Sequence, residues 1–368
     1  MLRAILLLVV FPLLAARAQE PPTGGYVPPD SVVAAAKRAA EVASRRATRL
    51  FGDSTPLAFT LTADFKRVFR NRDTLSTERF PAKLTVADSA GTPRILALEV
   101  NPRGNFRLKK TVCDFPPIKL NFADGVPRGT PLQGQGGLKL GTHCRGGERE
   151  YEEYVVREYL IYRIYSLLTD VSLHARLARV TYVDATAPGR AFTTWGLLTE
   201  DEDDAAERVG GRISPLRRAV FSDVDAAQLA LVALFEYAIG NSDWSLYALH
   251  NIRMIQTPQM TYLPMAYDFD HAGLVSTRYA KPDYRLPIKT VQERHYTGPC
   301  VAPSVLAPAI ERFRERRAAI EALYAPREGL DAKYVEWARR YIADFYRTIE
   351  NPGAVKKEIL ATCRKDGD

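Results

Sequence analysis

Hydrophobic and polar positions change rhythm several times along the chain. Residues 31–50 are rich in Ala and Arg at helical spacing, and Ser31 is placed to cap the helix they predict. From Pro56 to Phe122 the rhythm shortens to strand-like runs: Ala58 to Thr62, Ala82 to Ala87, Arg94 to Val100 and Ile118 to Phe122. Turn residues separate them, which predicts an antiparallel sheet. Six glycines between Gly125 and Gly141 mark a long mobile loop, whose end, Leu138 to Thr142, has strand character.

Beyond Glu148 the pattern is helical to about Asp170, with Tyr151, Val155, Tyr162 and Tyr165 on one stripe. Two strands are predicted next, Leu177 to Val183 and Phe192 to Thr199, and then a buried helix, Ala226 to Ile239, that leads into Gly240-Asn241-Ser242-Asp243. Strands Asn251 to Gln256 and Met260 to Tyr267 follow, joined at Thr257-Pro258-Gln259 and ending at Asp268-Phe269-Asp270. The remainder is mainly helix, notably Ser304 to Tyr324 and Asp331 to Glu350. This order predicts a two-lobed α+β protein with its site in the cleft. Residues 31–199 are the N-terminal helix and β-rich lobe, with a pivotal helix at 148–170, and 200–368 the mainly helical lobe.

Ahead of these elements, Met1 to Arg3 give a basic start, Ala4 to Leu14 an apolar middle and Ala16-Arg17-Ala18 a cleavage site, so residues 1–18 read as a secretory leader. The apolar run is too short to span a bilayer, and no Cys follows the cut to take lipid. Residues 19–30, rich in Pro and Gly, read as a flexible lead-in. The expected destination is periplasmic or extracellular, without a transmembrane anchor. Losing Arg3 and Arg17 takes 51 basic residues to 49 against 43 acidic ones, a charge of +6. That excess suits an anionic ligand, but the basic residues are scattered and no nucleic-acid-binding signature is present. Four cysteines in an exported chain favour two disulfides. Of the three possible pairings, Cys113 with Cys144 and Cys300 with Cys363 is preferred because the first links neighbouring segments.

Phosphoryl transfer asks little covalent work of a protein: it needs an oriented hydroxyl and oxygen ligands that hold a divalent cation against phosphates. Asp243 follows a buried helix through a Gly-Asn turn, Asn251 opens one strand and Asp268 closes the next, so a hairpin would bring the last two together. Asp243 is alternatively an Asx-turn residue. Asp268 and Asp270 flank Phe269 after an apolar strand and read as metal carboxylates, or else as turn decoration ahead of Gly273. No G-x-S-x-G elbow and no evident glycosidase carboxylate pair is present, which ranks hydrolases low.

Gly240-Asn241-Ser242-Asp243-Trp244, His250-Asn251 and Tyr267-Asp268-Phe269-Asp270 resemble the motifs of the spore coat CotH kinase family. Arg103-Gly104-Asn105 and Phe115-Pro116-Pro117-Ile118-Lys119-Leu120 are similar to that family's front-lobe signature, and the resemblance runs from about residue 100 to residue 300. It implies an atypical protein-kinase-like fold, ATP with Mg²⁺ or Mn²⁺ as cofactors, and a protein substrate phosphorylated on hydroxyl groups. It implies Asp243 as catalytic base and Asp268 as metal carboxylate. Asn251 lies eight residues after Asp243 where kinases usually have five, so the interval holds an insertion, or Ser245 or His250 shares the work.

No G-x-G-x-x-G loop precedes the first basic strand. Lys119 is the preferred phosphate-binding lysine, alternating with Ile118 and Leu120, and Lys139 is the reserve. Glu158 shares the apolar stripe of its helix and needs a partner there, which a Lys119–Glu158 ion pair would supply. The segment Gly196 to Glu200 would border the adenine by the same resemblance, while the acidic run Glu200 to Asp204 also reads as a solvated helix start. His143, His174 and His295 read as structural or surface residues. Two other functions compete: a non-catalytic binding or scaffold protein of the cell envelope, and a nucleotidyl (AMP) transferase. The sequence leaves oligomeric state open.

Overall fold

The computed structural model describes residues 28–366 apart from 123–125, 127–128 and 188. The leader at 1–18 and most of the lead-in lie outside the described residues. Helix α1 (Asp30–Phe51) starts one residue ahead of Ser31, which is therefore inside the helix and not its cap. After α1 come β1 (Leu57–Ala63), a single turn α2 (Phe65–Val68), β2 (Phe80–Ala87), β3 (Pro93–Pro102), β4 (Ile118–Asn121) and β5 (Gly137–Gly141). Helix α3 (Arg149–Leu168) separates these from β6 (Ala175–Asp184) and β7 (Phe192–Thr199).

These seven strands do not form an open sheet in one lobe of a kinase-like fold; they close into a barrel in the order β1-β2-β3-β4-β5-β7-β6. The two-lobed atypical protein-kinase-like α+β expectation is overturned by that closure. The pair that closes the ring is β1 with β6, in parallel, from Leu57 opposite Ala178 to Ala63 opposite Asp184. Alternation explains the filling, because side chains two apart share a face. Phe59 and Leu61, Leu84 and Val86, Leu96 and Leu98, Ile118 and Leu120, Leu138 and Leu140, and Val180 and Tyr182 form one apolar core. Gly196 of β7 lies against this core: a Cβ there would come within 2.8 Å of Leu140 Cδ1 and 2.9 Å of Val180 Cγ2. Its place is a packing requirement of the barrel.

The opposite face of β6 and β7 belongs to a second core. Ala175, Leu177, Trp195 and Leu197 join the buried side of α3 and the α5 helix (Ala226–Ile239). Between β7 and α5 lie α4 (Glu202–Arg208) and the short β8 (Arg212–Ile213). After α5 come β9 (Ile252–Gln256) and β10 (Tyr262–Ala266), which with β8 make a three-stranded sheet in the order β10-β9-β8. Helices α6 (Pro303–Ala322) and α7 (Ala332–Glu350) complete the second core with Phe313, Phe345 and Tyr346.

Cys113 is bonded to Cys144 and Cys300 to Cys363, the preferred pairing. Among the described residues no helix is long and apolar enough to cross a membrane. The two disulfides are consistent with an exported protein.

Candidate functional site

Helix α5 is buried almost throughout and ends at Gly240, whose φ of 68° is left-handed. Glycine is required there twice over, since a Cβ would stand 2.1 Å from Tyr341 Oη. The turn that follows is held by one side chain: Asn241 Nδ2 donates to Glu236 Oε2 at 2.9 Å, and Asn241 Oδ1 accepts from the Asp243 N–H at 3.0 Å. Burial pushes the Glu236 carboxyl up to about 8, with the Asn241 hydrogen bond working against it. Asp243 is thereby presented to the cleft.

Strands β9 and β10 form the expected hairpin, with Ala266 opposite Ile252 and the Tyr267 N–H donating to Asn251 O at 3.0 Å. Asn251 and Asp268 flank the same end of this ladder, with left-handed φ values of 55° and 62°. Such strain in non-glycine residues gathers at working sites, and Asn and Asp bear it best. Helix α3 fixes the end of β10: Ala266 N–H donates to Tyr165 Oη at 3.2 Å and Asp268 N–H to Tyr162 Oη at 3.0 Å. Asn251 Nδ2 donates to Asp243 O at 2.7 Å and to Asp243 Oδ2 at 3.2 Å. His250 Nε2 lies 3.0 Å from Asp243 Oδ1 and His271 Nδ1 3.8 Å from Oδ2. Burial acts to raise the Asp243 carboxyl, but the hydrogen bond from His250 and the charge of His271 outweigh it and hold it below the usual range. His250 is raised in turn, chiefly by that hydrogen bond.

Asp268 and Asp270 meet Arg107, a residue sequence reasoning did not single out. Its guanidinium lies 2.9 Å from Asp268 Oδ1, 3.3 Å from Asp270 Oδ2 and 3.7 Å from Glu158 Oε2. Glu158 is raised to about 8, first by burial, with Arg107 opposing and Asp270 and Asp268 reinforcing. Burial likewise raises Asp270, which also accepts from Tyr279 Oη at 2.9 Å. Three carboxylates thus share one guanidinium, a deficit of positive charge that favours protonation or a further cation. Only the resemblance to Arg103-Gly104-Asn105 drew attention to this segment, and no periodicity links residue 107 to residues 158 and 268.

The Lys119–Glu158 pair is not formed. Lys119 and Lys139 stand opposite each other on β4 and β5, outside the barrel, and the acidic start of α4 compensates their repulsion. Lys119 Nζ lies 3.3 Å from Asp201 Oδ2, and Lys139 is paired with Glu202. Burial lowers Lys139, with Arg103 adding to the effect and Glu202 opposing it. Lys139 shares a small cavity of about 20 Å³ with Glu158 and Asp268, which places the reserve lysine beside the acidic cluster. Glu200 is not free to border a base either: it pairs with Arg208 at 3.0 Å, both side chains being buried.

Asp243, Asn251, Asp268 and Asp270 line one cleft of about 680 Å³, with His250, His271, Arg103, Arg107 and Arg253 around them. Its volume suits a small-molecule ligand and its arginines suit an anionic one. The oxygens of Asp268, Asp270 and Asn251 are the ligands a hard cation selects. Among the described residues, no group of three or more His, Cys, Asp or Glu side chains is arranged to hold a metal ion. No family model and no curated protein matches the sequence.

Proposed function

We propose that this chain is an exported, metal-dependent phosphotransferase that moves a phosphoryl group from ATP to a hydroxyl group of a protein. The supporting observation is that Asp243, Asn251 and Asp268 border one cleft and that Asn251 hydrogen-bonds Asp243 at 2.7 and 3.2 Å. Motifs similar to those of the CotH family point to the same chemistry. A kinase architecture is not required, because function resides in the site.

Asp243, kept ionised by His250 and His271, accepts the proton of the acceptor hydroxyl at a carboxylate oxygen. Asn251 fixes that carboxylate, and Arg103 and Arg253 meet the phosphates. The Asp268 side chain is 39% exposed and gives only Oδ1 to Arg107, so it suits a cation held mainly by nucleotide phosphates and water. Mg²⁺ or Mn²⁺ bound there would neutralise phosphate charge. Two disulfides and the leader-like start support a periplasmic or extracellular destination.

One observation favours the second reading, a binding protein without catalysis: Arg107 already supplies the positive charge that Asp268 and Asp270 would otherwise take from a metal. Calorimetry with ATP and Mn²⁺, on the wild type and Asp268→Ala, followed by mass spectrometry of a serine-rich acceptor protein, separates the readings. Phosphorylated acceptor and loss of binding in Asp268→Ala support the proposal. Absence of both metal-dependent binding and transfer supports the scaffold, an AMP adduct supports nucleotidyl transfer, and unchanged ATP affinity in Asp268→Ala overturns the site.

A further inference from the structure

The chain between Asp243 and Asn251 folds back on itself as a closed loop. Ser245 and His250 exchange backbone hydrogen bonds, N–H to O at 3.0 Å in each direction. On either side of His250, Leu249 and Asn251 have left-handed φ values of 48° and 55°. Such conformations cost energy in non-glycine residues and persist where the surroundings enforce them. Their effect here is to return the His250 ring to the carboxylate upstream of it, with Nε2 3.0 Å from Asp243 Oδ1. Asn251 Nδ2 holds the other oxygen of that carboxylate, Oδ2, at 3.2 Å.

An ionised carboxylate only accepts, so the proton between the two residues sits on His250 Nε2, and the lone pair of the neutral ring sits on Nδ1. The His250 side chain is 56% exposed and borders the cleft, and no hydrogen bond engages its Nδ1 among the described residues. His271 is placed differently: its side chain is 20% exposed and its Nδ1 stands 3.8 Å from Asp243 Oδ2, beyond hydrogen-bonding distance. A ring nitrogen with a free lone pair, whose opposite N–H is held by a carboxylate, is an activated nucleophile. When it forms a bond the ring becomes cationic, and the carboxylate stabilises that charge. The surroundings suit a phosphoryl group as the electrophile. Arg103 and Arg253 line the same cleft, and Asp268, its candidate cation ligand, is close enough to act on the His250 ring by charge.

We propose that His250 is a covalent catalyst, taking the terminal phosphoryl group of ATP on Nδ1 before passing it to the hydroxyl acceptor. This rests on the phosphotransferase reading of the cleft and gives it a two-step course. In the first step the Nδ1 lone pair forms the N–P bond. The bond from that phosphorus to the β–γ bridging oxygen breaks, and ADP leaves with its electron pair. The ring is then cationic, with its Nε2 proton directed at Asp243 Oδ1. In the second step the acceptor oxygen forms the O–P bond, the N–P bond breaks and its electrons return to Nδ1. The hydroxyl proton passes to Asp243 Oδ2 and from there to water.

The test incubates the full chain with Mn²⁺ and ATP labelled in its terminal phosphate, first without acceptor. The expected product is a phosphoprotein that is labile in acid and stable in alkali. A P–N bond behaves in this way, whereas phosphoserine survives acid and an acyl phosphate on Asp is cleaved by alkali. Mass spectrometry is expected to map the label to His250, and ³¹P NMR to place it on Nδ1. Labelled ADP is expected to exchange into ATP without acceptor, and the protein-bound label to move to a serine-rich acceptor protein once that is added. His250→Gln keeps an N–H for Asp243 but no nucleophile, so label and exchange are both expected to be lost. Acceptor phosphorylation without a phosphoprotein or ADP exchange, or undiminished in His250→Gln, overturns the covalent role. It leaves the phosphotransferase reading standing and makes His250 a positioning residue for Asp243. Label on His271 or on Nε2 overturns the assignment. A labelled His250 that passes nothing on supports the covalent step and overturns the hydroxyl acceptor, and no label on either protein overturns both readings.

Discussion

Asn251 Nδ2 is shared between the backbone carbonyl and the carboxylate of Asp243, at 2.7 and 3.2 Å. One side chain thus couples the turn after α5 to the β9–β10 hairpin. In Asn251→Ala the carboxylate keeps His250 but loses its orientation. The expected outcome is a roughly hundredfold fall in ATP-dependent transfer together with a lower melting temperature, because alanine bears the left-handed φ less well and the Asp243 carbonyl loses its donor, read by acceptor phosphorylation and thermal unfolding.

Arg107 is the internal cation of the acidic cluster. Replacing it by Met strands Glu158 and Asp270, both buried, beside the half-exposed Asp268. A loss of about 3 kcal/mol is expected from urea unfolding. Mn²⁺ should restore stability to Arg107→Met more than it stabilises the wild type; equal effects would show that the carboxylates do not accept a metal in place of the guanidinium.

Glu236 links stability to pH. Its folded carboxyl is raised to about 8 from the ordinary 4.5, chiefly by burial, so between those values the folded protein holds a proton that the unfolded chain has released. Stability from this group is full in acid, falls as pH rises through that window and stays low above it. Glu236→Gln keeps an acceptor for Asn241 and should flatten this dependence. Urea midpoints at pH 5 and pH 9 check it, with the gain of the variant over wild type expected at pH 9.

Gly196 tests the barrel. An added methyl would meet Leu140 and Val180 at 2.8 and 2.9 Å, so Gly196→Ala is expected to cost about 1–3 kcal/mol in chemical unfolding.

Local pattern made the long helices, most strand positions, the Cys113–Cys144 link and the Asn251–Asp268 hairpin readable, because each depends on periodicity or short separation, and the Cys300–Cys363 link followed as the remaining pair. Ring closure was not readable: alternation shows which face of β1 is apolar, but not that β6 will pair with it across about 120 residues. The same limit explains Lys119. Alternation with Ile118 and Leu120 turns it away from the core, yet the neighbour it finds is Asp201 of the α4 cap and not Glu158. Arg107 carries no periodic signal at all, and its role arises only when three distant carboxylates meet it.

The parallel β1–β6 seam also sets an order for biogenesis. Strand β1 keeps one side without its native partner until the chain has been made as far as Asp184. Until then a nascent polypeptide carries a sticky edge, and late long-range pairing of this kind is slow and prone to clumping. Fragments cut anywhere between β1 and β6 inherit the same defect, so expression trials that separate the front half from residues 175–184 should yield insoluble material.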